Sequence, residues 1–169
     1  QGPRTEVVDA NGGLITAGFD DAHIHVVGGA QEHDDVDLFQ LESVDAIQRA
    51  IVAHAAANPD AAWVRGRGWM YVPFPGGLPT KEQLDAVVPD RPAFMRCYDG
   101  HTGWANSAAL SLAGIDRDTP DPRDGVIVRD PSTGEATGAL KEGAQELIRQ
   151  CIPVLSTDET LAAMRASLA

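Results

Sequence analysis

The 169-residue sequence predicts an α/β fold. Three observations carry that prediction. An opening hairpin signal is followed by strand-like runs that alternate with stretches of helical period. Gly, Pro and Asn-Gly turns separate these segments. Hydrophobic residues make up 43% of the chain against 22% charged, the balance of a folded globular protein.

The elements follow in chain order. Residues 5–9 (TEVVD) and 12–16 (GGLIT) read as two short strands joined at Asn11-Gly12, a strong hairpin signal. A third strand is expected over 22–27 (AHIHVV). Residues 43–58 read as a helix capped by Ser43, with Val44, Ile47, Ile51 and His54 recurring on one face. Residues 62–66 (AWVRG) form a strand candidate, followed by a Gly/Pro-rich loop over 66–80. Thr80 and Gln83 make a capping box for a short helix through Val88. Residues 91–98 are a strand candidate, and 105–114 a helix ending at Gly114. GVIVRD and GEATGALK flank a Pro-Ser-Thr-Gly turn and read as a hairpin. A helix over 142–151 follows, and Ser156 with Glu159 caps a last helix through Ala169. A chain ending inside LAAMRASLA, with no cap, reads as truncated.

Composition excludes several classes. A formal net charge of −12 opposes binding to nucleic acid, whose phosphates need clustered Lys and Arg, and to anionic membrane surfaces. Cys97 and Cys151 are isolated, without CxxC spacing, and imply neither a disulfide framework nor a thiolate metal site. The apolar stretches are too short to span a bilayer, and no signal peptide is visible. The chain starts at Gln1 without an initiator Met. A cytoplasmic protein is the expectation, and self-association into a homo-oligomer stays open.

The chemistry concentrates in DAHIH. Side chains at i and i+2 of a strand share a face, so His23 and His25 point the same way if 22–27 is extended. On a helix they would splay by about 200°. Paired neutral imidazoles suit Zn²⁺ and similar ions, and Asp20 or Asp21 lies where a carboxylate orients a ligand histidine. Surface or packed histidines remain the alternative.

The residues around this pair carry a resemblance. GGLITAGFDDAHIH resembles the opening of the amidohydrolase superfamily, matching at Gly13, Gly18, Phe19, Asp21, His23 and His25, with Ala17 where a proline is usual. Downstream, GRGWM, LPTKEQLDAVVPDRPAFMRCYDGHTGWANSAAL, TPDPRDGVIVRD and GEATGALKEGA are similar to the amidohydrolase family 3 branch, the YtcJ-like metal-dependent hydrolases. The resemblance runs from about Gly12 onward.

It implies a (β/α)₈ TIM-like barrel beside a small β-sandwich, with the metal at the C-terminal mouth of the barrel. Residues 1–17 would end the sandwich. Residues 18–60 would supply the first barrel strand and its helix, 61–130 an inserted α/β cap, and 131–169 an incomplete return to the barrel. A barrel typically takes about 250 residues, so the span is expected to be a portion of one. His23 and His25 would bind one or two divalent metal ions, Zn²⁺ above all. Glu142 would complete the site, or Lys141 as a carboxylated lysine; Glu142 at a helix start is the competing structural role. His101 and Asn106 would hydrogen-bond a small amide-type substrate, with Trp69 as an aromatic wall. A turn role for His101 and a helix cap for Asn106 compete with that assignment.

The implied reaction is metal-assisted hydrolysis of a carbon–nitrogen bond other than a peptide. The carboxylate that would serve as general base and the two further histidine ligands that the resemblance implies have no counterpart here, since after Glu142 there is no histidine and the one later Asp, Asp158, opens a helix. This span alone is expected to be inactive. A non-catalytic module that keeps the motif as a relic or binds metal without turnover is the competing reading.

Overall fold

The computed structural model describes residues 2–167. Six strands form one mixed sheet in the order β1-β2-β3-β4-β6-β5. They are β1 (Val36–Asp37), β2 (Val64–Trp69), β3 (Ala93–Cys97), β4 (Thr102–Ala105), β5 (Gly125–Arg129) and β6 (Ala136–Glu142). The first three run parallel, Val64 opposite Ala93 and Val36 opposite Gly66. From β3 onward the pairing is antiparallel, Met95 facing Trp104 and Trp104 facing Ala139. β6 lies inside this sheet, so the sheet continues across the boundary expected near residue 130.

Among the described residues six α-helices accompany the sheet: α1 (Val26–Gln31), α2 (Val44–Ala57), α3 (Lys81–Asp85), α4 (Ser107–Leu112), α5 (Glu146–Arg149) and α6 (Thr157–Ser167). The period of two sorts strand residues between two faces. Val64, Met95 and Trp104 pack with Ile47 and Ile51 of α2 and Leu84 of α3. Phe94, Ala105 and Leu140 pack with Leu110 of α4 and Ile148 of α5. The sheet is thus a central layer with apolar side chains buried on both sides, which sustains an α/β chain of this size.

Local signals explain the helix starts. Ser43 Oγ accepts the Ala46 N–H at 3.2 Å, and the Thr80–Gln83 capping box is formed. Ser156 and Glu159 cap α6 reciprocally. Arg91 anchors the end of α2 by donating to the carbonyls of Ala55, Asn58, Pro59 and Ala61. Nearby, burial first and the Arg91 guanidinium second lower the His54 pKa. Protons therefore bind the unfolded chain more readily than the folded one. Stability is fully present above the ordinary histidine value of about 6.5 and declines as pH falls through the folded value. Urea titrations between those limits will show this slope, and His54→Gln will flatten it.

Three expectations are corrected. Residues 5–9 and 12–16 form no strands; among the described residues up to Gln31 there is none. The turn itself forms, with Asn11 at φ 48° and Gly12 at φ 82°. An isolated two-stranded hairpin is marginal in water, and here Val7, Val8, Leu14 and Ile15 stay exposed with no third strand to pack on. The expected strand at 22–27 is replaced from Val26 by helix α1. The expected helix over 142–151 is a 3₁₀ turn at Gly143–Gln145 leading into the shorter α5. The end of the last helix at 168–169 lies outside the described residues. β4 went unread, because TGWA is short and holds a glycine. That glycine is required: a Cβ on Gly103 would sit 2.4 Å from the Phe94 ring.

Candidate functional site

His23 and His25 converge without a strand ladder. His25 is the residue before α1, so both lie outside the helix that would splay them. Their Nε2 atoms are 3.1 Å apart and their ring centroids 5.1 Å apart. Two nitrogens held about 2.0–2.1 Å from one tetrahedral ion are separated by about 3.3 Å, so the pair fits two corners of a zinc site. The same distance is also that of an imidazole N–H donating to its neighbour. Asp21 accepts the backbone N–H of His23 at 3.0 Å, which fixes the approach to the first imidazole through the main chain rather than the ring.

Glu142 and Lys141 end β6. Glu142 adopts φ 49°, which breaks the strand and turns its side chain out of the ladder. Its backbone N–H donates to the His101 carbonyl at 2.9 Å, and its carboxylate meets His101 Nδ1 at 3.1 Å. That hydrogen bond, then the charges of Glu142 and Asp99, raises the pKa of the exposed His101 ring. Lys141 lies opposite Thr102 in the sheet. Tyr71, His101, Thr102, Lys141 and Glu142 line an open depression whose rim is the Gly76–Gly77 backbone.

The structure therefore makes two groups of the expected site residues, His23 with His25 and His101 with Glu142. Among the described residues no three of His, Cys, Asp and Glu are gathered closely enough to hold a metal ion. The donor chemistry of the histidine pair fits zinc, but Glu142 is not assembled with it.

Two sequence assignments are corrected. Asn106 is fully buried and occupies every hydrogen-bonding position it has. Its Oδ1 accepts the Ala93 and Ala109 N–H groups, and its Nδ2 donates to the Val88 and Arg91 carbonyls, all at 2.9 Å. No donor or acceptor is left for a substrate; the residue caps α4 and ties it to β3. Trp69 lies at the end of β2 rather than in a loop. It is fully buried, donates Nε1–H to the Met95 carbonyl at 2.9 Å and packs edge-on against Tyr71, Phe74 and Trp104. It is core, not pocket wall.

Tyr71, two residues further on, faces the depression instead. Its hydroxyl meets Thr102 Oγ1 at 2.9 Å and Asp99 Oδ2 at 3.1 Å. Burial pushes its pKa above the ordinary tyrosine range, which keeps it a proton donor. Nothing in GRGWMYVPFPGG distinguishes Tyr71 from Trp69 or Phe74 before the end of β2 is known.

Comparison with known proteins gives the family. The family model described as "Amidohydrolase family" matches residues 6–169. YtcJ of Bacillus subtilis (strain 168) is 41% identical over 166 residues, covering 95% of this chain and 31% of that protein. N-substituted formamide deformylase of Arthrobacter pascens is 39% identical over 149 residues, covering 86% of this chain and 27% of the enzyme. A metal-dependent hydrolase structure from Pyrococcus horikoshii OT3 superposes with a TM-score of 0.62 at 24% identity, over 88% of this chain and 28% of that one. The chain thus spans less than a third of each of these relatives. No helix among the described residues is long and apolar enough to cross a membrane. With its histidine pair, its sheet and its match over nearly the whole sequence, the chain belongs to the amidohydrolase family.

Proposed function

We propose that this chain is part of a metal-dependent hydrolase that cleaves carbon–nitrogen bonds of small, amide-type, non-peptide substrates. The observation that carries the reading is the 3.1 Å approach of His23 Nε2 to His25 Nε2. Two imidazoles brought to one point supply neutral nitrogen ligands without thiolates, a donor set suited to Zn²⁺. In the whole enzyme, residues 2–17 join a small β-sandwich and the His23–His25 segment opens a (β/α)₈ barrel. The sheet from β2 to β6 caps its mouth, and the chain from α5 onward returns toward the barrel. What supports zinc, the barrel and the sandwich is the resemblance to the amidohydrolase family.

When bound, such a metal lowers the pKa of water and polarises the scissile carbonyl. The residues of this chain do the rest of what can be assigned. His23 and His25 hold the ion. Glu142 is the preferred further ligand, with Lys141 the alternative. His101, raised in pKa by Glu142, offers a donor to a carbonyl or leaving nitrogen in the depression. A catalytic zinc takes three protein ligands, and only two are gathered among the described residues. The chain alone is accordingly expected to bind zinc weakly and not to turn over amides.

Equilibrium dialysis with Zn²⁺ tests the reading. His23→Ala should weaken zinc binding by at least about tenfold, since even the loss of a partner outside the ligand sphere has effects of that order. Equal zinc content in both proteins would contradict it. Release of amine from N-formyl or N-acyl substrates by this chain with added zinc would refute the inactivity of the span.

A further inference from the structure

The hydrogen bonds around the depression form a chain that begins in the core. Tyr71 follows β2 and its ring packs edge-on against buried Trp69, with centroids 5.2 Å apart, and against Tyr98 on its other side. Its hydroxyl is held by Thr102 Oγ1, and Thr102 is only 2% exposed. From this fixed point the hydroxyl reaches Asp99 Oδ2, while Asp99 Oδ1 accepts the His101 N–H at 2.9 Å. Between them Gly100 turns at φ 77°, a conformation that costs glycine little. The Gly100 carbonyl is fastened by Gln145 Nε2 at 2.9 Å, and the His101 carbonyl by the Glu142 N–H. The turn is therefore pinned by Gln145 and Glu142 on one side, and toward β2 by the Tyr98 N–H on the Trp69 carbonyl at 3.0 Å and by the Tyr71–Asp99 side-chain contact.

We propose that Tyr71 is a positioning residue: through Asp99 it sets the turn that presents the His101 ring to the Glu142 carboxylate. The Tyr71 hydroxyl bonds Asp99 and Thr102 and neither side chain of the pair, so its action is indirect. Asp99 alone closes the local turn around His101. Tyr71 adds the direction in which the carboxylate of Asp99 points, because its hydroxyl is held in turn by the buried Thr102 at the start of β4. The inference rests on the hydrolase reading for its functional meaning, since His101 and Glu142 line the depression assigned there to substrate. The geometry itself is measurable without metal or substrate.

The test reads the tautomer of His101 by long-range proton–nitrogen NMR in the whole chain at alkaline pH, where the ring is neutral. Nδ1 faces the Glu142 carboxylate, so the Nδ1–H form should dominate in the unmodified protein. Tyr71→Phe keeps the ring and removes only the hydroxyl. It should lower the Nδ1–H to Nε2–H ratio by about threefold, the scale of an exposed pair. In a Glu142→Ala background the same substitution should leave the ratio unchanged. An unchanged ratio in Tyr71→Phe, or the same fall in both backgrounds, would overturn the proposal. If Tyr71→Phe fails to fold, Thr102→Val, which removes the hydroxyl that orients Tyr71, carries the same comparison. Zinc dialysis of Tyr71→Phe separates this result from the hydrolase reading: zinc retention set by His23 and His25 should be unaffected.

Discussion

Replacing Asn106 with alanine should lower the unfolding free energy by about 4 kcal/mol. The substitution removes the cap of α4, worth about 1 kcal/mol, and strands three further groups in the core. These are the Ala93 N–H and the Val88 and Arg91 carbonyls, each now bonded to the side chain at 2.9 Å. Asn106 is fully buried, so water cannot replace the lost partners. Asn106→Ser should recover the cap and little else. Urea unfolding of the three proteins measures the effect. A loss under about 1 kcal/mol, accompanied by altered ligand binding, would restore the substrate-binding role that its sequence neighbourhood implied.

Trp69→Ala should cost about 4 kcal/mol as well, by a different route. The cavity left by an indole at a fully buried site is large, and three aromatic neighbours lose their edge contacts. The Met95 carbonyl also loses its donor. Trp69→Phe should retain most of the packing and lose the hydrogen bond, for a loss of about 1–2 kcal/mol. A stable Trp69→Ala variant would show that the aromatic cluster at the end of β2 is loosely packed, which conflicts with its burial.

What could be read in advance divides along a physical line. Signals that close within a few residues were legible: the Ser43 cap, the Thr80–Gln83 box and the Ser156–Glu159 pair each complete their hydrogen bonds locally. The runs that became β2, β3, β5 and β6 were legible because they are bounded by turns. Residues 5–9 and 12–16 carried strand patterning, but a strand needs a partner as well as a pattern, and the described residues offer them none. The same limit applies to 22–27, where α1 takes over from Val26.

The site shows the division again. DAHIH was read as an imidazole pair converging on a strand; the two rings do approach each other, but at the entry to α1 and with no strand formed. Lys141 and Glu142 were indistinguishable by alternation; the φ of 49° at Glu142, which no pattern announces, sends its carboxylate to His101. Asn106 offered two roles in the sequence, and burial decides for the cap. Trp69 and Tyr71 differ by two residues, and the strand end between them makes one core and the other pocket.

The central claim is that zinc chooses His23 and His25. Zn²⁺ titration of the chain, followed by the ring resonances of all five histidines, tests it most directly. His23 and His25 should shift together and saturate in parallel, with His33 and His54 unmoved. Equal shifts at all five, or saturation of His101 ahead of the pair, would contradict it.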